Sequence, residues 1–324
     1  MHTDVLLLFV GLVLLVKGAD LLVDGAAALA YRLGLSLFTI GLTVVAFGTS
    51  LPELVVNVQA GIQNKGSLAM GNILGSNISN VLLAIGISAC FVNLPADKRF
   101  VYKDLLAGFA AILLLFVLTF FQEHAIASPA AVFLSRRHGI ILLILFAAYM
   151  YITLRYDRAG LIADARKSTA VAAALSPFKS VVCICCGLAG LIIGGRWIVA
   201  GALALTKIFG LSEGFIGLTV IAIGTSLPEI ATSAVAAYKK QTDLAVANIF
   251  GSNIFNILFI LGVSAVLRPV GFDVILYQDM IINIGICLIV YLFTFTGKRY
   301  VLDRWEGRVL VLLYPIYLIY LFKR

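Results

Sequence analysis

The chain has 324 residues, 62% of them hydrophobic and 12% charged, with a mean hydropathy of +1.07. A water-soluble domain carries apolar and charged shares nearer one half and one quarter, so this composition excludes one and makes lipid the main solvent. The net charge of +8 suits basic residues facing an anionic leaflet, and no nucleic-acid partner is expected.

In chain order, ten apolar stretches long enough to span a bilayer are predicted at 5–30, 35–62, 68–94, 104–121, 139–155, 180–206, 213–238, 244–267, 274–296 and 305–322. The expected fold class is an all-α membrane protein of ten transmembrane helices. The first stretch lacks the basic start of a signal peptide and is read as a retained span. Gly, Pro, Ser and Asn interrupt several spans, which is tolerable at membrane depth only where freed backbone groups face protein or a wet cavity. Fifteen loop Lys and Arg fall on one side of the resulting topology and seven on the other, which predicts both termini outside.

GLTVVAFGTSLPE at 41–53 returns as GLTVIAIGTSLPE at 217–229, with eleven of thirteen positions identical at an offset of 176. At the same offset, 69–89 matches 245–265 at twelve of twenty-one positions. The chain therefore divides into a first five-helix repeat (1–155), a cytoplasmic linker (156–178) and a second five-helix repeat (179–324). An odd number of spans per copy inverts the second, with the substrate site expected near the midplane.

Within each copy a glutamate, Glu53 or Glu229, lies in a span, where an ionisable side chain costs at least about 2.5–3.5 kcal/mol. Two such carboxylates call for a cation. The prolines before them, Pro52 and Pro228, remove a backbone donor and are predicted to kink each helix, turning carbonyls such as those of Ala46 and Ala222 toward a ligand. Helical spacing sets Thr49 and Ser50 beside Glu53, and Thr225 and Ser226 beside Glu229. Ser76 and Asn80 share one face of the following span, as do Ser252 and Asn256. An all-oxygen set of this kind suits a hard cation such as calcium.

Asn72, Asn77, Asn248 and Asn253 read equally as ligands or as helix-packing residues. Asp20 and Asp24 suggest a local ion pair near Lys17, and Lys239 a solvated loop charge. Cys183, Cys185 and Cys186 read as small apolar residues rather than a thiolate site.

With GTSLPE followed by GSNxxN twice in the chain, the sequence resembles the cation/calcium exchanger superfamily, most closely its prokaryotic sodium/calcium exchanger branch with two alpha repeats. The resemblance implies secondary antiport of calcium against sodium, with no cofactor. It implies calcium between Glu53 and Glu229, and flanking sites from Ala46, Thr49, Ser50, Ser76 and Asn80 and from Ala222, Thr225, Ser226, Ser252 and Asn256. Family members often carry aspartate at the position of Asn80 or Asn256; here both are asparagine, so the site holds two fixed negative charges. Proton/calcium exchange remains an alternative, as do a cation channel and a membrane enzyme, although no HExxH or GxSxG motif is present. The expected partners are inorganic cations (calcium, sodium or protons) and membrane lipid, and these residues do not set an oligomeric state.

Overall fold

The computed structural model describes residues 2–95, 100–120, 132–156, 175–208 and 222–324. It is helical apart from two short two-stranded ribbons. The helices are α1 (His2–Leu33), α2 (Leu37–Thr49), α3 (Leu51–Ile62), α4 (Gly66–Phe91), α5 (Tyr102–Phe120), α6 (Arg136–Tyr156), α7 (Pro177–Ile208), α8 (Ala222–Tyr238), α9 (Thr242–Leu267), α10 (Leu276–Phe293) and α11 (Arg304–Lys323). Among the described residues eight helices are long and apolar enough to cross a membrane, and the bent pair α2 and α3 makes a ninth. Of the span expected over 213–238, only α8 is described. Most of the linker expected over 156–178 lies outside the described residues.

Local chemistry sets the helix ends. Gly34, at φ 64°, closes α1 in a double turn in which Leu35 N–H bonds Ala30 O at 2.9 Å and Gly34 N–H bonds Tyr31 O at 3.4 Å. Ser36 then caps α2 by accepting the Thr39 N–H at 3.0 Å. Asn64 (φ 62°) and Lys240 (φ 60°), equivalent in the two copies, close α3 and α8 in the same left-handed turn. Asp303 and Glu306 form a capping box at the start of α11.

The kink expected at both prolines differs between copies. In the first, the helix breaks at Ser50 (φ −84°, ψ 6°), Pro52 opens α3, and the two pieces bend by 45°. In the second, α8 runs through Pro228 as one helix. A proline removes a single ladder hydrogen bond, a loss that a buried helix absorbs where neighbours satisfy the freed carbonyl.

Helices α4 and α9 form the centre: 78% and 83% of their apolar windows are buried, against 22–39% for the other spans. Around them the contacts are reciprocal between copies. A Cβ on Gly11 would lie 2.9 Å from Gly194 O, and one on Gly18 would lie 2.8 Å from Gly187 O; Gly187 and Gly194 stand 176 residues beyond Gly11 and Gly18. These glycines let α1 and α7 pack antiparallel at backbone contact. The ribbons repeat the exchange. β1 (Leu94–Pro95) pairs with β4 (Val301–Leu302), just before α11, and β3 (Val270–Phe272) pairs with β2 (Val132–Leu134), just before α6.

The loops sort into two groups. Arg32 bonds Leu175 O, Phe91 packs on Tyr238, Arg304 bonds Phe91 O, and β1 meets β4. Elsewhere Ser67 bonds Asp273, Gly66 abuts Gly271, and β2 meets β3. No contact among these joins one group to the other, as a chain that crosses back and forth requires.

Candidate functional site

Glu53 sits in the first turn of α3, where the helix N-terminus favours a carboxylate. Glu229 follows Pro228 in α8. Both side chains are fully buried, as are those of Thr49, Ser76, Asn80, Ser226, Ser252 and Asn256, and Ser50 is nearly so.

The structure brings the two copies' residues into one cluster. Ser50 Oγ donates to Glu229 Oε1 at 3.0 Å, and Ser252 Oγ to the same oxygen at 3.4 Å. Ser76 Oγ donates to Glu53 Oε1 at 3.3 Å and lies 3.3 Å from Thr225 Oγ1. The counterpart of that last pair is Thr49 Oγ1 and Ser252 Oγ, 3.5 Å apart. The Ala46 carbonyl accepts the Ser50 N–H at 3.0 Å while facing Ser252 Oγ at 3.5 Å. Ala222 opens α8, and its side chain lies outside the described residues. Asn80 starts a widened π-helical turn (Asn80–Ile85), and Asn256 lies in its counterpart, Phe255–Ile260. Such turns redirect side chains and collect at functional sites.

Five buried oxygens of the residues expected as ligands have no hydrogen-bond partner: Glu53 Oε2, Glu229 Oε2, Asn80 Oδ1, Asn256 Oδ1 and Ser226 Oγ. Buried polar atoms are almost always satisfied, and unpartnered buried oxygens on these residues suit a hard cation as substrate. Among the described residues no three His, Cys, Asp or Glu gather as a metal site.

Two expectations from sequence are corrected. Asp20 and Asp24 pair not with Lys17 but with Lys239, whose Nζ lies 2.6 Å and 2.7 Å from their carboxylates. Lys239 is accordingly a half-buried tie between α1 and the end of α8, not a solvated charge. One turn after each glutamate, sequence reasoning also missed Asn57 and Ser233, which accept hydrogen bonds from Asn72 (2.8 Å) and Asn248 (2.9 Å). The available signal was their position four residues beyond Glu53 and Glu229.

The sodium/calcium exchanger protein family model matches residues 3–155 and 179–323. The chain belongs to the sodium/calcium exchanger family. Within it, the sodium/calcium exchanger MaX1 of Methanosarcina acetivorans is 31% identical, with 86% of this chain and 87% of that one covered. The inner membrane protein YrbG of Escherichia coli K12 is 36% identical over 72% and 70% of the two chains. A solved structure of the sodium-calcium exchanger NCX_Mj, soaked with sodium and strontium, superposes with a TM-score of 0.80 at 30% identity, covering 97% of both chains. This member of the sodium/calcium exchanger family is thus an integral, helical membrane protein similar to transporters.

Proposed function

We propose that this chain is a secondary antiporter that exchanges calcium for sodium by alternating access, with no cofactor. The observation that carries the reading is the joining of both glutamates by hydroxyls of the two copies, with one oxygen of each carboxylate buried and unpartnered. Calcium binds between the two carboxylates. Sodium ions occupy overlapping positions built from the Ala46 carbonyl, Thr49, Ser50, Ser76 and Asn80, and from Ala222, Thr225, Ser226, Ser252 and Asn256. Two carboxylates neutralise one calcium ion and carry one positive charge with three sodium ions, so exchange at that ratio moves charge.

The architecture we infer is ten spans in two inverted five-helix repeats, 1–155 and 179–324, joined by a cytoplasmic linker over 156–178. The reciprocal glycine, ribbon and hydroxyl contacts support the inversion, because a two-fold operation that swaps the copies exchanges Gly11–Gly194 with Gly187–Gly18, β1–β4 with β3–β2, and Ser76–Thr225 with Ser252–Thr49. The two loop groups support the alternation of spans. The loop group holding Arg32, Lys239 and Arg304 also carries more basic residues, so we assign it to the cytoplasm and both termini to the outside of a prokaryotic inner membrane.

The test is sodium-gradient-driven calcium uptake into proteoliposomes, compared with a pH gradient without sodium. Uptake that needs sodium supports the reading; uptake of equal rate on a pH gradient alone replaces sodium by protons as the counter-ion.

A further inference from the structure

Resting on the ion-site reading above, we propose that Asn72, Asn77, Asn248 and Asn253 are positioning residues that hold the hydrogens of Thr49, Thr225, Asn80 and Asn256 away from the cation, so that these four present oxygen lone pairs. None of the four is needed as a ligand. Each instead bonds a residue that is.

A threonine hydroxyl has one hydrogen and two lone pairs, so it coordinates a cation well only if its hydrogen is held elsewhere. Thr49 Oγ1 donates to Asn248 Oδ1 at 3.2 Å, and Thr225 Oγ1 donates to Asn72 Oδ1 at 3.4 Å. For Thr49 the other acceptors within reach are its own helix's Ala46 carbonyl at 3.3 Å and, more distant, Ser252 Oγ at 3.5 Å, whose own hydrogen goes to Glu229. That carbonyl faces the cluster, which leaves Asn248, at 3.2 Å, as the nearer acceptor when a cation takes it.

An amide does this only in one of its two orientations, and the structure fixes which. Asn72 Nδ2 donates to Asn57 Oδ1 at 2.8 Å, and Asn57 Nδ2 donates to Ala69 O at 3.2 Å. Flipping either amide would set like atoms against each other. In the second copy Asn248 Nδ2 donates to Ser233 Oγ at 2.9 Å. Ser233 could accept or donate, but Asn248 Nδ2 also donates to the Glu229 carbonyl at 3.5 Å, which only accepts and so fixes the orientation.

The same logic governs the asparagine ligands. Asn80 Nδ2 donates to Asn253 Oδ1 at 3.1 Å, and Asn256 Nδ2 donates to Asn77 Oδ1 at 2.9 Å. Both donors are thereby turned away, and the two oxygens left over are the donorless Asn80 Oδ1 and Asn256 Oδ1. Asn77 Nδ2 in turn donates to the Asn253 carbonyl at 3.4 Å, tying α4 to α9. Partners behind metal ligands typically alter affinity ten- to a hundredfold when removed.

A double-mutant cycle separates positioning from packing. Calcium affinity is measured by calorimetry on the detergent-solubilised protein and as the half-saturating concentration in sodium-driven uptake. Asn72→Ala is expected to weaken both about tenfold or more in the wild-type background and by less than about threefold in Thr225→Val, where the hydroxyl it orients is gone. Asn57→Ala, which frees the Asn72 amide without removing it, is expected to weaken calcium binding less than Asn72→Ala does, and it carries the test if Asn72→Ala fails to fold. Equal losses from Asn72→Ala in both backgrounds, or unchanged affinity in Asn72→Ala or Asn57→Ala, would overturn the proposal. If Thr225→Val alone leaves both calcium affinity and the sodium dependence of uptake untouched, the ion-site reading itself falls, and this inference with it.

Discussion

Ser50, at the break between α2 and α3, donates its hydroxyl across the repeat boundary to Glu229 Oε1 at 3.0 Å. The residue three before one glutamate thus serves the other, so the two motifs build a single site. Ser226, the equivalent position in the second copy, has no partner for its hydroxyl. The pseudo-equivalent serines are therefore not interchangeable.

A hydrogen bond to a carboxylate contributes roughly 1.5–3 kcal/mol, and 1.4 kcal/mol is a factor of ten in affinity. Ser50→Ala is expected to weaken apparent calcium affinity about tenfold, measured as the calcium dependence of sodium-driven uptake.

If calcium binds between Glu53 and Glu229 as proposed, charge at the cluster sets the voltage response. With two carboxylates the calcium-bound site would be neutral, whereas Asn256→Asp would add a third and make it negative. Calcium affinity is expected to rise and maximal turnover to fall, with calcium uptake acquiring a new dependence on imposed membrane potential. Flux measured under potassium-diffusion potentials of both signs checks this.

The glycine seam between α1 and α7 leaves no room for a side chain. A Cβ on Gly18 would lie 2.7 Å from Leu191 N and 2.8 Å from Gly187 O, both backbone atoms. Gly18→Val is expected to cost at least about 1–3 kcal/mol and to abolish most uptake. Gly61, whose added Cβ would meet nothing within 4 Å, is the control: Gly61→Ala should leave the melting temperature in detergent and the uptake rate unchanged.

Lys239 ties α1 to α8 through Asp20 and Asp24. Burial pulls its pKa down, but the hydrogen bonds and charges of the two aspartates outweigh this and hold it above the ordinary lysine value of 10.5. A pKa raised on folding stabilises below the unfolded value, and the effect is lost only as pH rises through the folded one. Lys239→Met should therefore lower the melting temperature by a few degrees, for a pair contributing up to about 1 kcal/mol, and equally at about pH 6 and about pH 9. A loss confined to the acid side would point to another group.

Much of the molecule was legible in the sequence because its signals are local. Hydropathy marks spans, and the identical blocks around Glu53 and Glu229 mark the duplication. Helical spacing placed Ser76 with Asn80, and Ser252 with Asn256, on single faces. The rest depends on partners remote in the chain. Nothing near Asp20 indicates that its cation is Lys239, 219 residues away. Likewise the four extra asparagines were indistinguishable from packing residues until Thr225 was seen to donate to Asn72. The identical GTSLPE blocks also conceal the difference between a helix that breaks at Ser50 and one that continues through Pro228.

The most direct measurement is calcium uptake into proteoliposomes on an outward sodium gradient, for the wild type, Glu53→Gln and Glu229→Gln. A single shared cluster predicts sodium-dependent uptake in the wild type and its loss in each variant alone, with both variants still folded. Undiminished uptake in either variant would contradict the two-carboxylate site.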